Sequence, residues 1–176
     1  MKPLRTPIIL LVLLYLCFLG CWSWSASQLP ERIATHFNLS GQPNGWMSRS
    51  ANQWMVLLLG LFLPSFVVVL SYVTRFVPGI VNVPDRDYWL APERRKDTSN
   101  YLVRHSIWFA CLAVWFVMGV EYSIVQANKQ SLPHLSSAML FLVVGPFLIG
   151  TVVWVAVLLR HFRRIHRPAN ARGAIL

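Results

Sequence analysis

WMVLLLGLFLPSFVVVLSYVT, residues 54–74, runs without one charged residue. A helix rises about 1.5 Å per residue, so a stretch of this length crosses roughly 30 Å of hydrocarbon. Three more stretches of the same kind occupy 7–24, 106–126 and 138–159, and the only charge in all four is Glu121. Lipid offers no hydrogen bonds, so a spanning segment must satisfy its own backbone, and runs this long and continuous exceed barrel strands. The sequence therefore predicts an all-α fold: a polytopic integral membrane protein, a bundle of four transmembrane helices forming a single membrane domain over 1–176. An outer loop at 25–53, an inner loop at 75–105 and a tail at 160–176 complete it.

Hydrophobic residues make up 56% of the chain and charged residues 12%, whereas a soluble domain carries roughly a quarter charged residues. Trp22, Trp24, Trp46, Trp54, Trp89 and Trp108 fall near the predicted span ends, where an amphipathic ring suits the headgroup layer. The net charge of +10 is one-sided. Lys2, Arg5, Arg75, Arg86, Arg94, Arg95, Lys96, Arg104, Arg160, Arg163, Arg164, Arg167 and Arg172 all flank the spans on one side. Only Arg32, Arg49 and Lys129 lie on the other. This is the positive-inside pattern with both termini cytoplasmic, so topology and anionic lipid, not nucleic acid, account for the basic charge. Lys2 and Arg5 ahead of an apolar core also resemble a secretory signal, but the run is long and ends in Trp22-Ser23-Trp24, which predicts a retained anchor. Cys17, Cys21 and Cys111 have neither disulfide nor metal-ligand spacing and read as packing residues.

The outer loop carries the densest set of candidate functional residues. Pro43-Asn44-Gly45 is turn chemistry, because Pro presets φ while Asn and Gly tolerate positive φ; extended residues on either side predict a short extracytoplasmic hairpin. In the segment before the turn, His36 and Asn38 share a face and Phe37 points oppositely. His36, Asn38 and Trp46 are candidate contacts for a partner, with Pro30, Gly41, Pro43 and Gly45 shaping the loop. Glu121 lies only ~7–8 Å below the outer boundary, at 1.5 Å per residue. Asn128 follows two helical turns later on the same face, and the two form a polar stripe for which Arg32, His36, Asn38 or Arg49 would supply partners.

On the inner side, Asp85, Arg86, Tyr88, Trp89, Pro92, Glu93 and Arg94 alternate acid and base around an aromatic pair, a composition suited to an elbow lying at the headgroups. Pro92-Glu93 or Thr98-Ser99 offers the next helix start. Gly60 and Pro64 in the second span match Gly145, Pro146 and Gly150 in the fourth, either as packing kinks or as a binding site built from broken helices.

Two of these blocks resemble a known family. Leu29-Pro30, then Ala34-Thr35-His36-Phe37-Asn38, then Gly41, Pro43, Gly45 and Trp46, is similar to the signature of the bacterial domain-of-unknown-function family 1648, which also forms the amino-terminal part of SdpI-like membrane proteins. The inner stretch from Asp85 to Arg94 resembles a second family block, and Ala127-Asn128 a third. The resemblance implies a small bacterial inner-membrane protein. In its SdpI-like branch it implies immunity to a secreted toxin peptide, and signalling through a repressor held at the membrane. The Asn…Gly-Ile-Arg-type motif that follows this domain in SdpI-like proteins does not occur here.

No phosphate-binding Gly loop, His-Glu-x-x-His helix or Gly-x-Ser-x-Gly elbow is present, and His36, His134 and Glu121 have no local metal-ligand spacing. The expectation is a non-enzymatic protein without cofactor or metal that recognises a peptide, lipid or envelope partner through its outer loop. Beyond the lipid bilayer, its expected partners are a peptide or another membrane protein, with oligomers allowed. The alternative is a small transporter or transport accessory subunit using Glu121 and the Pro-broken helices.

Overall fold

The computed structural model describes residues 4–163; Lys2 and the tail residues Arg164, Arg167 and Arg172 lie outside the described residues. Helix α1 (Arg5–Gln28) is followed by strands β1 (Arg32–Phe37) and β2 (Pro43–Ser48), paired antiparallel, and then by helix α2 (Arg49–Val73). A 3-10 turn at Pro78–Ile80 and a short helix α3 (Arg86–Trp89) lead into α4 (Arg95–Asn128) and α5 (Ser137–Phe162). Helices α1, α2, α4 and α5 are each long and apolar enough to cross a membrane. This is a membrane protein.

Every one of these helices outruns its apolar stretch, because polar residues continue the backbone ladder past the hydrocarbon. α2 begins at Arg49, not at Trp54, since the Ser48 hydroxyl accepts the Ala51 N–H at 3.2 Å and caps the end. α4 begins at Arg95, ahead of Thr98 and Ser99. Pro92 and Glu93 do not open it; they lie in the preceding turn, where the Ala91 carbonyl accepts the N–H groups of Arg94 and Arg95. With 34 residues, α4 measures roughly 50 Å at 1.5 Å per residue, more than a hydrocarbon core requires.

α4 is the central element, and α1, α2, α5 and β1 all pack against it. Phe18, Val56 and Val114 form the middle of the core. Val103, Ile107 and Cys111, with Leu4, Leu11, Leu14 and Val68, fill one end; Leu29, Ile33, Ile124 and Val125 fill the other. The helices alternate in direction, so both ends of the described chain meet at the end opposite the hairpin. There Arg75 reaches Asn100, and the Trp89 indole donates to the Phe162 carbonyl at 3.3 Å. α5 leaves Phe141, Leu142, Ile149 and Val152 exposed, which lipid tolerates because its tails are as apolar as these side chains. Small residues let α5 approach α4: a Cβ at Gly119 would lie 3.0 Å from Val143, and one at Gly150 would lie 3.0 Å from Leu112.

Neither proline breaks its helix. Pro146 sits inside a continuous α5. Pro64 follows a π-helical turn, Leu58–Phe62, at whose end the Leu63 N–H reaches the carbonyl of Leu58. Widening the turn accommodates a ring that would otherwise press on the preceding turn. Gly60 lies in this turn under the Phe18 ring, and a Cβ there would stand 2.2 Å from Phe18 Cε2. Gly60→Val is therefore expected to cost about 1–3 kcal/mol by overpacking, read as a lower thermal midpoint in detergent micelles. Phe18→Ala in the same chain should recover part of the loss.

Candidate functional site

The hairpin turns at Asn38-Leu39-Ser40-Gly41-Gln42. The Asn38 side-chain oxygen accepts the N–H groups of Ser40 at 3.0 Å and Gln42 at 2.9 Å, and Gly41 takes the positive φ of 75° that this turn requires. Pro43-Asn44-Gly45, expected as the turn, lies inside β2 instead. The Asx geometry of Asn38 outcompeted the Pro-Asn-Gly signal, and Asn38 is a turn-former whose side chain is already engaged. Gly45 is needed for close approach, since a Cβ there would lie 2.9 Å from His36 Cβ.

Two ties hold the hairpin to the bundle. Asn128, at the end of α4, accepts the Ala34 N–H and donates to the Ala34 carbonyl, both at 2.8 Å, so its amide takes the place of a neighbouring strand. At the tip, the Leu135 N–H donates to the Gly41 carbonyl at 2.9 Å, and His134 Nε2 stands 3.2 Å from the Ser40 carbonyl. The hairpin thus bridges the end of α4 to the segment leading into α5. Trp46 remains 45% exposed, with the Arg32 guanidinium 5.6 Å from its ring centroid. Pro30 stands between α1 and β1.

Beneath the bridge runs a groove of about 340 Å³, lined by Thr35, His36 and Phe37 above and by Ile124, Leu140 and Val144 of the helices below. Thr35 is an extra residue between the Ala34–Trp46 and His36–Gly45 pairs. This bulge disrupts the regular pairing, and His36, Phe37 and Asn38 all contribute to the groove lining. The Thr35 hydroxyl oxygen is buried without a hydrogen-bond partner.

Glu121 is in a different place. Only 3% exposed, it packs between α4 and the first turns of α2. Asn52 Nδ2 donates to both carboxylate oxygens at 3.1 Å, and Gln53 Nε2 donates to one of them at 3.3 Å and to Ser25 Oγ at 2.9 Å. These partners replace the expected Arg32, His36, Asn38 and Arg49. Arg49 instead donates to the Leu29 carbonyl at 3.0 Å, closing the end of α1. The predicted stripe is therefore divided: Asn128 serves the hairpin, and Glu121 serves the α1–α2–α4 junction. Ser25, Asn52 and Gln53 do carry a signal, though hydropathy hides it. Ser48 as a cap starts α2 early, and an early start places Asn52 and Gln53 in a helix at the depth of Glu121.

The inner motif is an elbow that docks the short helix. The Arg94 guanidinium lies 3.8 Å from the Tyr88 ring centroid and its Nε donates to the Tyr88 carbonyl at 2.8 Å; Arg86 reaches the Gly79 carbonyl at 3.2 Å. Asp85 starts α3 from a left-handed conformation, φ 52°. Trp89 stacks on His161, which stacks on Tyr101 at 3.6 Å, and His105 stacks on Trp154 at 4.4 Å, an aromatic ladder along the α4–α5 seam. Among the described residues no three His, Cys, Asp or Glu side chains gather to hold a metal ion.

Residues 9–67 match the model of a family described as Domain of unknown function (DUF1648). The match takes in the hairpin and most of α1 and α2, and stops short of the inner motif and of Ala127-Asn128. No curated protein and no solved structure matches the chain. Asn128→Ala removes both bonds to Ala34 and is expected to loosen β1 by about 1–3 kcal/mol. Hydrogen–deuterium exchange should then quicken at least about fivefold across β1 and stay unchanged in the middle of α1.

Proposed function

We propose that this is a non-enzymatic protein of the bacterial cytoplasmic membrane, with both termini cytoplasmic, that captures an apolar peptide in the groove beneath its outer hairpin. The observation that carries this reading is the groove itself. Strand-edge residues Thr35–Phe37 form its roof, and apolar side chains of α4 and α5 form its floor. An extended peptide adds to a sheet edge through main-chain hydrogen bonds, while its side chains enter the adjoining pocket. Asn128 caps this edge only at Ala34. His36 supplies polar contacts at the rim, and Trp46 and Arg32 extend the surface above. Asn38, Gly41, Pro43 and Gly45 shape the hairpin and need not touch the peptide. SdpI-like immunity would be the case in which the peptide is a secreted toxin.

A photo-crosslinking amino acid at Phe141, on the groove's floor, tests this in intact cells. Peptide adducts are expected in the wild-type background, reduced at least tenfold by His36→Ala with Val144→Trp at unchanged membrane abundance. Adducts with phospholipid alone would defeat the peptide reading.

A further inference from the structure

Asn52 and Gln53 each turn an amide nitrogen toward Glu121, and the oxygens they turn away, Asn52 Oδ1 and Gln53 Oε1, are buried with no hydrogen-bond partner. Asn52 is 0% exposed and Gln53 8%. Orphaned acceptors at this depth are uncommon in native interiors, and two of them here adjoin one carboxylate whose hydrogen-bond partners are neutral amides. The arrangement holds one carboxyl group and surplus oxygens, with no basic side chain among those partners. Ser25 Oγ adds a fifth oxygen, donating to the Trp22 carbonyl at 3.0 Å while accepting from Gln53.

We propose that Glu121, Asn52, Gln53 and Ser25 form a buried site for a small monovalent cation of the sodium class. Half a turn of an amide about its last bond exchanges nitrogen for oxygen in place. Asn52 Oδ1 would then stand where Nδ2 now lies, 3.1 Å from both Glu121 oxygens. Ions of calcium's size, which Na⁺ shares, hold oxygens at about 2.3–2.6 Å. Two oxygens 3.1 Å apart can therefore both ligate such an ion seated off the line between them, without displacing a helix. A single carboxylate balances a single charge. Ca²⁺ calls for six to eight oxygens and Mg²⁺ keeps several waters, a supply that this set does not offer. The ion would tie α1, α2 and α4 together, and its site is separate from the groove under the hairpin.

The full chain, purified in detergent micelles and exchanged into choline chloride, is melted across titrations of NaCl, KCl and CaCl₂ at constant ionic strength. A ligand held only by the folded state raises the melting midpoint with its concentration, so Na⁺ is expected to raise it. Glu121→Gln should fold and melt at a midpoint indifferent to Na⁺. Glu121→Asp keeps the charge but withdraws it, and should need at least tenfold more Na⁺ for the same effect. Direct ²²Na⁺ binding, retained by the wild type and lost in Glu121→Gln, measures the same site without melting the protein. A midpoint that moves with pH and with no cation overturns the proposal and makes Glu121 a protonation site. A response to Ca²⁺ alone, or an equal response in Glu121→Gln, overturns it too. Glu121 does not line the groove, and cation binding is read by the midpoint and by ²²Na⁺ while peptide capture is read by crosslinking in the unsubstituted chain, so the two proposals fail separately.

Discussion

Glu121, Asn52, Gln53 and Ser25 have no solvent to turn to, and that constraint organises the upper half of the bundle. In hydrocarbon the apolar surfaces of helices have little preference for one another over lipid, so apolar packing alone leaves rotation and register loosely specified. A buried carboxylate removes that freedom. Its oxygens must meet donors, the donors come from the first turns of α2, and one of these donors also reaches α1 through Ser25. Three helices are thereby set at one height. Gly60 under Phe18 does the same lower down by shape, and Gly119 and Gly150 do it for α5.

The hairpin depends on this setting. Its base is held by Leu29 and Ile33 packed on Ile124 and Val125, and by the Asn128 amide on Ala34. Its tip is held by the Leu135 N–H on the Gly41 carbonyl and by His134 beside Ser40, in the segment before α5. Because α5 leans chiefly on α4, a bridge tied at two points leaves a groove open beneath it. The bulge at Thr35 borders that groove.

At the opposite end, aromatic stacking replaces polar knots. Trp89, His161, Tyr101, His105 and Trp154 close the seam between α4 and α5. Trp154 and His105 exchange two bonds, indole Nε1 to the His105 carbonyl at 2.8 Å and His105 Nε2 to the Trp154 carbonyl at 3.1 Å. The motif from Asp85 to Arg94, which in sequence suggested an elbow at the headgroups, packs its Trp89 against the end of α5 and caps this seam.

The four spans and the existence of the hairpin were legible in the chain by itself, because hydrocarbon thickness and backbone satisfaction translate directly into run length and composition. The turn was not. Two segments a few residues apart both carried turn chemistry, and the choice fell to the one whose Asn38 side chain and Gly41 carbonyl found partners nearby. Glu121 could be singled out as a buried charge, but its partners could not, since Asn52 and Gln53 lie far from it in sequence and before the apolar run. Helical period and hydropathy describe one segment at a time. Which polar groups share a buried site is decided only when helices take their relative heights and rotations, and those follow from the cost of leaving a donor or acceptor alone in lipid.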